Sequence, residues 1–371
     1  MKIIFSTDQI YLHGGIEKVM ATKADYFAKL PDTEVYILTT EQLRKPPRYP
    51  LDSKVKMLDM NVNYNRTKSY FSKENLIKAI KHFREQKKIF KTLKPDVIIS
   101  PNYNFDHYWL PFICSEAKKI KERHSSRFYE EKQRKTASII GRIKFWFSDW
   151  FNAKYDYIVV LNDDEKKYIK SQNAVVIPNP IEITEIVGNP NGKQVIAAGR
   201  IAPVKRFDDL IKSWEIINKR FPDWQLHIYG DDYADTKSAL EKLIKERSLE
   251  DKIIFKESVE NLLQMMSDYS ICTMSSETEC FPMVLLEALS TGIPIVSYDC
   301  PNGPRHIITN REDGLLAEYK NIDDLATKLM QLISDAELRT EMGRKAKINV
   351  KRFEISQVMR MWNELLNLNN V

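Results

Sequence analysis

The sequence contains little glycine and cysteine, and several classes of motif are missing from it. Only 11 of its 371 residues are glycine, and the three-glycine fingerprint of a dinucleotide-binding loop does not occur. The four cysteines have neither Cys-x-x-Cys nor zinc-ligand spacing, so we expect reduced thiols in a cytosolic compartment: Cys114, Cys272, Cys280 and Cys300. No apolar run approaches the roughly 18 residues of a membrane helix, and the apolar stretch at the N-terminus is too short for a signal peptide. The sequence therefore predicts a cytoplasmic protein that begins with a β-strand.

Charge is unevenly distributed along the chain. Hydrophobic residues make up 43% and charged residues 29%, which is enough for the cores of two domains of ordinary size. The net charge is +6, but residues 66–94 carry +8 and residues 116–151 carry +5. Such basic segments either attract phosphates, of nucleic acid or of anionic lipid, or form solvated helix faces.

Short apolar runs alternate with amphipathic stretches along most of the chain. Strands are predicted at residues 2–6, 34–38, 97–100, 157–161, 174–177, 194–198, 225–229, 252–255, 270–273 and 294–297. Helices are predicted at residues 16–30, 72–93, 207–221, 236–247, 283–290 and 323–334. This alternation indicates an α/β fold in which helices cover both faces of parallel sheets.

A segment rich in proline and glycine, residues 178–192, interrupts the alternation near the middle of the chain. It predicts a linker between domains at residues 1–185 and 190–350. Two doubly wound domains joined there would face each other across a cleft at the carboxyl ends of their strands, where open α/β sheets bind ligands. The last segment, residues 353–371, is predicted to include an amphipathic helix that packs back on the first domain.

Two short motifs suggest binding of an anion. Gly14 and Gly15 lie between the first predicted strand and the first helix, where a helix N-terminus offers N–H groups to an anion, although a simple tight turn explains the pair as well. Arg200 and Lys205 follow the strand at 194–198 and could hold phosphate oxygens, or they could be ordinary surface cations.

The segment 275–304 contains the most specific constellation. Glu279 precedes Pro282, a residue suited to the first turn of a helix, and Glu287 follows Glu279 by eight positions inside the apolar run MVLLEAL. A carboxylate among leucines is costly unless it has partners, and the paired hydroxyls of a ribose would be suitable ones. The alternative for Glu287 is an exposed position on the helix surface.

Together these motifs resemble retaining GT-B enzymes of glycosyltransferase family 4. The two glutamates in ECFPMVLLEALSTGIPIV resemble the Glu-x7-Glu signature of that family, GGIEKV resembles its glycine loop, and GRIAPVKRFDDLI resembles its diphosphate segment. VVLNDDEKKYI and VVIPNPI resemble the end of its first domain, and KERHSS, with His124, resembles its histidine loop. Two positions depart from the family pattern. Cys280 stands where the family usually has glycine, and Arg305-His306 follows the run DCPNGP (residues 299–304), after which similar sequences often have a glutamate.

The resemblance implies a GT-B fold with an acceptor-side first domain and a donor-binding second domain. It implies retaining transfer of a hexose or N-acetylhexosamine from a UDP-sugar, with no cofactor and no metal, and no Asp-x-Asp occurs in the chain. By resemblance, Glu279 and His124 would face the reacting sugar and Glu287 the ribose. The other donor-binding positions implied are Gly14, Gly15, Arg200, Lys205, Phe281, Met283 and Val284.

The first domain, which would bind the acceptor, contains a segment that suggests contact with a membrane. Residues 134–151, RKTASIIGRIKFWFSDWF, interleave cations with large apolar residues, as expected of a helix in a membrane interface or of a helix that packs on a core. We expect a lipid-linked glycan acceptor in surface polysaccharide, lipopolysaccharide or capsule assembly, with peripheral contact to the cytoplasmic face of the inner membrane. The alternatives are a UDP-sugar epimerase and a non-catalytic sugar-nucleotide-binding subunit. A nucleic-acid partner is not expected, since no helix-turn-helix or RNA-binding signature occurs.

Overall fold

The chain divides between Pro180 and Ile181 into two α/β units in a computed structural model that describes residues 1–101, 104–259 and 261–368. Unit 1 contains residues 1–180 and the C-terminal segment from Met359, and unit 2 contains Ile181–Val358. The boundary lies at the beginning of the proline- and glycine-rich segment 178–192.

The strands of unit 1 form a parallel sheet in the order β3-β2-β1-β4-β5-β6-β7. Their bounds are β1 Lys2–Thr7, β2 Glu34–Thr39, β3 Lys56–Asp59, β4 Val97–Ser100, β5 Lys118–Arg123, β6 Tyr157–Val160 and β7 Ala174–Val176. In β1 and β4 the apolar residues are buried on both faces, as expected when helices cover both sides of a parallel sheet.

The α-helices that begin in unit 1 are α1 Gly15–Lys29, α2 Lys73–Leu93, α3 Phe128–Lys135, α4 Ile139–Asn152 and α5 Asp163–Lys166. Short 3₁₀ helices occupy Phe105–Tyr108 and Leu110–Phe112. Hydroxyl caps fix two helix starts: Ser72 accepts from the Asn75 N–H and Ser138 from the Gly141 N–H.

Unit 2 repeats the same doubly wound order, with the parallel strands arranged β10-β9-β8-β11-β12-β13. The strands are β8 Gln194–Ala198, β9 Gln225–Tyr229, β10 Ile253–Lys256, β11 Ile271–Met274, β12 Ile295–Tyr298 and β13 Gly314–Ala317. The helices are α6 Phe207–Asn218, α7 Thr236–Glu246, α8 Leu262–Met266, α9 Met283–Ser290, α10 Pro304–Ile307, α11 Ile322–Ser334 and α12 Ala336–Asn349, with 3₁₀ helices at Pro203–Lys205 and Val350–Phe353. The prediction of two Rossmann-like doubly wound domains is confirmed.

The final helix, α13 (Ile355–Leu366), begins in unit 2 and ends in unit 1. Within unit 1, Trp362 is buried, Lys118 donates to the Leu365 carbonyl at 2.9 Å, and Asn363 donates to the Tyr26 hydroxyl at 3.0 Å. Residues 369–371 of the predicted segment lie outside the described residues.

Three strands were missing from the sequence prediction: β3, β5 and β13. The most instructive is β5, whose sequence KKIKER suggests a solvated surface, whereas Lys119, Lys121 and Glu122 are buried. Part of the basic segment 116–151 therefore lies inside unit 1 and cannot form a surface patch.

Helix α4 presents an unusual surface. Its only buried residue is Asn152, while large apolar side chains along it are exposed to solvent. Among the residues that the structure describes, no helix combines the length and the apolar character needed to cross a bilayer.

Candidate functional site

Two loops of unit 2 meet where strands β8 and β9 end. Gly199 has φ +152° and Gly230 has φ +157°, and a Cβ added to Gly230 would lie 2.0 Å from the Gly199 carbonyl oxygen. Only glycine allows these backbones to approach so closely. The close approach fixes the start of the segment that carries Arg200 and Lys205.

Lys205 and Glu279, predicted separately from sequence, are brought together. Lys205 ends the 3₁₀ helix after β8, and its Nζ donates to Glu279 Oε1 at 2.6 Å. The side chains are 19% and 16% exposed, so both remain reachable at the edge of unit 2. The Ser275 hydroxyl, at the end of β11, donates to the Lys205 carbonyl at 2.9 Å and holds the two loops together.

The backbone around Glu279 is fixed by the loop that follows β12. The Glu279 N–H donates to the Pro301 carbonyl at 2.9 Å, and the Glu279 carbonyl accepts from the N–H groups of Asn302 and Gly303 at 2.8 and 2.9 Å. A side chain on Gly303 would crowd the Cys280 carbonyl at 2.8 Å. Residues 299–304 therefore shape the loop that presents Glu279.

Helix α9 carries the second glutamate. Pro282 is the N-cap, and Met283 and Val284 begin the helix with half-buried side chains. Glu287 is 6% exposed, which excludes the exposed helix position considered as its alternative. Burial together with the nearby Glu287 carboxylate raises the pKa of Cys272 to about 12.

Phe281 and Arg200 are positioned by aromatic contacts within unit 2. The ring of Phe281 packs edge-on against Phe353, with centroids 5.3 Å apart. The Arg200 guanidinium lies 4.5 Å from the centroid of Tyr233 and remains exposed. Stacking on a ring orients the planar fork of an arginine without using its N–H donors.

The glycine pair of unit 1 begins helix α1. Gly14 is the N-cap, and a Cβ added to it would lie 2.2 Å from Glu17 Oε2. Gln9 donates to the other oxygen of Glu17 at 2.7 Å, and burial raises the pKa of Glu17. Gly14 therefore makes room for a carboxylate in the first helical turn, while Gly15 is exposed.

His124 follows strand β5 and lies next to a buried ion pair. Its Nε2 lies 3.1 Å from Glu122 Oε2, and the same oxygen is in contact with the ammonium of Lys23 on α1. Burial alone would raise the pKa of Glu122, but Lys23 and His124 together lower it to about 2. The glutamate is therefore an anion that holds both partners.

The sequence did not predict two residues that contact the candidate site residues, Glu122 next to His124 and Tyr233 next to Arg200. Glu122 was visible within KERHSS, but nothing in the sequence indicated that Lys23, 99 residues away, would reach it. Tyr233 carried a weak signal, because it lies three residues after Gly230, which follows β9, much as Arg200 lies directly after Gly199, which follows β8.

Comparison with known proteins shows what unit 2 is similar to. Residues 181–349 match the family described as glycosyl transferases group 1. An uncharacterized glycosyltransferase of Haemophilus influenzae is 29% identical over 57% of this chain and 61% of its own length. A poly(ribitol-phosphate) α-N-acetylglucosaminyltransferase of Staphylococcus aureus is 26% identical over 58% of this chain and 44% of its own length. The chain thus spans less than two thirds of these relatives.

A solved structure extends the likeness to both units. HepE from Anabaena, in complex with UDP-glucose, matches with a TM-score of 0.77 and 16% identity over 99% of both chains. The fold is GT-B. At this identity the likeness concerns the fold alone, while the sequence matches relate unit 2 to the glycosyl transferases of group 1.

Proposed function

We propose that this chain is a retaining glycosyltransferase of family 4 that transfers a hexose or N-acetylhexosamine from a UDP-sugar to a glycan acceptor in bacterial surface-polysaccharide assembly. Two observations made together carry the proposal: Lys205 pairs with Glu279 at 2.6 Å, and Glu287 of α9 is buried. The group 1 match over residues 181–349 and the two named transferases support the same reaction class.

Each group has a role that its chemistry suits. The diphosphate leaves with negative charge, which Lys205, Arg200 and the N–H groups at Gly15 stabilise. Glu279 accepts hydrogen bonds from hydroxyls of the donor sugar, and its ion pair with Lys205 sets the orientation of the carboxylate. Phe281, Met283 and Val284 place backbone groups of the α9 start near sugar and phosphate, and Glu287 binds the ribose hydroxyls. His124 of unit 1 faces the reacting sugar.

The donor is bound without a divalent metal in this proposal. Lys205 and Arg200 supply the positive charge that a metal ion supplies in other transferases. UDP is the favoured nucleotide because HepE, with the same fold, has been solved with UDP-glucose.

A donor screen tests the proposal. Purified protein in EDTA is titrated calorimetrically with UDP-, GDP- and ADP-sugars, and release of nucleoside diphosphate is measured with a glycan acceptor present. We expect one UDP-sugar to bind, and we expect Glu279→Ala to lower turnover about 10³-fold, the upper range for loss of one transition-state contact. Glu215→Ala is the matched control, because Glu215 pairs with Arg247 elsewhere in unit 2. Proton NMR of the product shows whether the anomeric configuration is retained.

Each other outcome points to a different function. Conversion of the donor without release of UDP would identify an epimerase. Binding without any chemistry would identify a non-catalytic subunit, and absence of binding to every nucleotide sugar would refute the proposal.

We further propose that helix α4 docks unit 1 on an anionic membrane, on the cytoplasmic side, where a lipid-linked acceptor would lie. The exposed side chains range from 77% for Ile139 to 39% for Trp150, and they are Ile139, Ile140, Ile143, Trp146, Phe147 and Trp150. Phe112, 52% exposed, stacks on Trp150 at 5.7 Å and continues this apolar surface. An exposed apolar patch of this kind marks an interaction site.

The surroundings of α4 favour a bilayer as the partner. Arg142 and Lys144 on the helix are exposed, as are Lys132 and Lys135 just before it, and cations of this kind attract anionic headgroups. Tryptophan side chains suit the boundary between headgroups and acyl chains. Arg134 makes two hydrogen bonds to Asp149, at 2.6 and 2.8 Å, so the helix is anchored to α3 while its apolar side chains face solvent.

Liposome flotation tests the membrane contact. We expect binding to vesicles that contain phosphatidylglycerol, weaker binding to pure phosphatidylcholine, and loss of binding in Ile140→Ser/Trp146→Ser. The control Val187→Ser/Ile348→Ser removes two other apolar residues of unit 2 that are more than half exposed, and it should bind normally. Failure of the wild-type protein to float would refute the proposal, as would a stable dimer that buries α4.

A further inference from the structure

A buried chain of contacts links helix α1, strand β5 and the C-terminal helix within unit 1. Lys23 and Glu122 are each only 1% exposed at their side chains, and His124 is 4% exposed. The indole of Trp362 lies 4.7 Å from the Lys23 ammonium and covers it. Lys23 thus has an aromatic face on one side and a carboxylate on the other.

The two ring nitrogens of His124 are in different situations. Nε2 lies 3.1 Å from Glu122 Oε2, whereas Nδ1 makes no hydrogen bond with any residue that the structure describes. A carboxylate only accepts hydrogen bonds, so it favours the ring form with a proton on Nε2. In that form Nδ1 carries the lone pair of a neutral imidazole.

We propose that Glu122 is a positioning residue that keeps the proton of His124 on Nε2 and so leaves Nδ1 to meet the substrate. Lys23 keeps Glu122 ionised and fixed, and Trp362 covers the Lys23 ammonium. The proposal deepens the proposed function, because it concerns the state in which His124 enters the reaction. Glu122 itself does not touch the substrate.

The positioning role can be tested with variants that replace both members of the buried ion pair and are expected to fold. Removal of one partner of a buried ion pair leaves an uncompensated charge, whereas replacement of both by apolar side chains of similar size is often tolerated. Two double variants are therefore compared, Lys23→Met/Glu122→Met and Lys23→Met/Glu122→Gln. Both remove the ion pair, but only the second keeps an oxygen that can accept from His124 Nε2.

The first readout is the tautomer of His124. Protein labelled with ¹⁵N-histidine has six imidazoles, and loss of one signal set in His124→Gln assigns the relevant ring. We expect Nε2 protonation in the wild-type protein and in the Gln-containing variant, and a mixture of tautomers in the Met-containing variant. Asp106→Asn, which alters another buried carboxylate of unit 1, should leave the His124 signals unchanged.

The second readout is the split between kcat and KM for the donor. We expect kcat of the Met-containing variant to fall about 100-fold, the lower range of general acid–base contributions, with KM nearly unchanged. The Gln-containing variant should recover about tenfold of that loss, because its amide oxygen still orients the ring. An equal loss in both folded variants, or an unchanged tautomer in the Met-containing one, would overturn the proposal.

The two proposals can fail separately. If the wild-type protein turns over no donor, the transferase function fails while the tautomer comparison still tests the positioning role. If transfer is normal in the Met-containing variant, only the positioning role fails.

Discussion

The ammonium of Lys205 lies 2.6 Å from Oε1 of Glu279, although the two residues are 74 positions apart in the sequence. Two sequence motifs predicted independently therefore meet in one ion pair, at the end of β8 and before α9. Since both side chains are only partly exposed, each determines the orientation of the other.

Replacement of Lys205 by alanine should weaken nucleotide binding more than it weakens the fold. A hydrogen bond to a charged group contributes about 1.5–3 kcal/mol, so we expect the Kd for UDP to rise about 10- to 100-fold. Isothermal titration calorimetry measures this effect. The control is Lys193→Ala, since Lys193 pairs with Asp223 at an exposed position of the same unit. An unchanged Kd in Lys205→Ala would exclude contact with the diphosphate.

Stability in acid should depend on His82. Burial lowers the pKa of His82 to about 4, an effect that Asp106 partly opposes. The unfolded chain takes up this proton near pH 6.5, so between pH 6.5 and 4 the unfolded state binds more protons than the native state. The free energy of unfolding therefore falls as the pH falls, by about 2–3 kcal/mol at pH 4.5.

The measurement compares urea unfolding of unit 1 at pH 7 and pH 4.5. His82→Gln should lose the contact of Nδ1 with the Tyr64 hydroxyl at 3.0 Å, yet show a smaller drop between the two pH values. The exposed His13 provides the control variant His13→Gln, which should keep the wild-type drop. Equal drops in His82→Gln and the wild-type protein would contradict the prediction.

The C-terminal helix should contribute strongly to the stability of unit 1 through one side chain. Trp362 is 1% exposed and covers Lys23, so Trp362→Ala leaves a cavity and uncovers a buried charge. We expect the free energy of unfolding to fall by about 3–5 kcal/mol, measured by denaturant titration. Met361→Ala, at a neighbouring position that is 38% exposed, should cost less than about 0.5 kcal/mol.

Much of the fold could be predicted from local pattern. Strands such as β1 and β4 are short apolar runs bounded by polar residues, and a parallel sheet requires that pattern because both of its faces are buried. The Glu279 loop was predictable for another reason. Pro282 restricts its own backbone angle at the start of α9, and proline has this effect in any sequence context.

The features that the sequence did not predict depend on residues that are far apart in the sequence. Strand β5 has charged residues where a buried strand should be apolar, and Glu122 is stable there because Lys23 neutralises it. Lys121 is likewise buried, and it donates to the Ser100 hydroxyl at 3.0 Å. Because such compensation is made by the tertiary structure, local sequence in β5 suggested a surface segment.

Gly230 should tolerate no side chain. A Cβ there would lie 2.0 Å from the Gly199 carbonyl oxygen, and neither backbone can move without distorting the ends of β8 and β9. Its φ of +157° adds strain for any residue with a side chain. We expect Gly230→Ala to lower the free energy of unfolding of unit 2 by about 3 kcal/mol or more and to weaken UDP binding, because Arg200 follows Gly199 directly.

Gly192→Ala is the control, since its Cβ would meet the Ser270 hydroxyl at 3.0 Å, and its cost should stay below about 1 kcal/mol. Calorimetric unfolding and UDP titration of both variants test the prediction. A Gly230→Ala protein as stable as Gly192→Ala would show that the two strand ends can separate without cost, and that the position of Arg200 does not depend on their close approach.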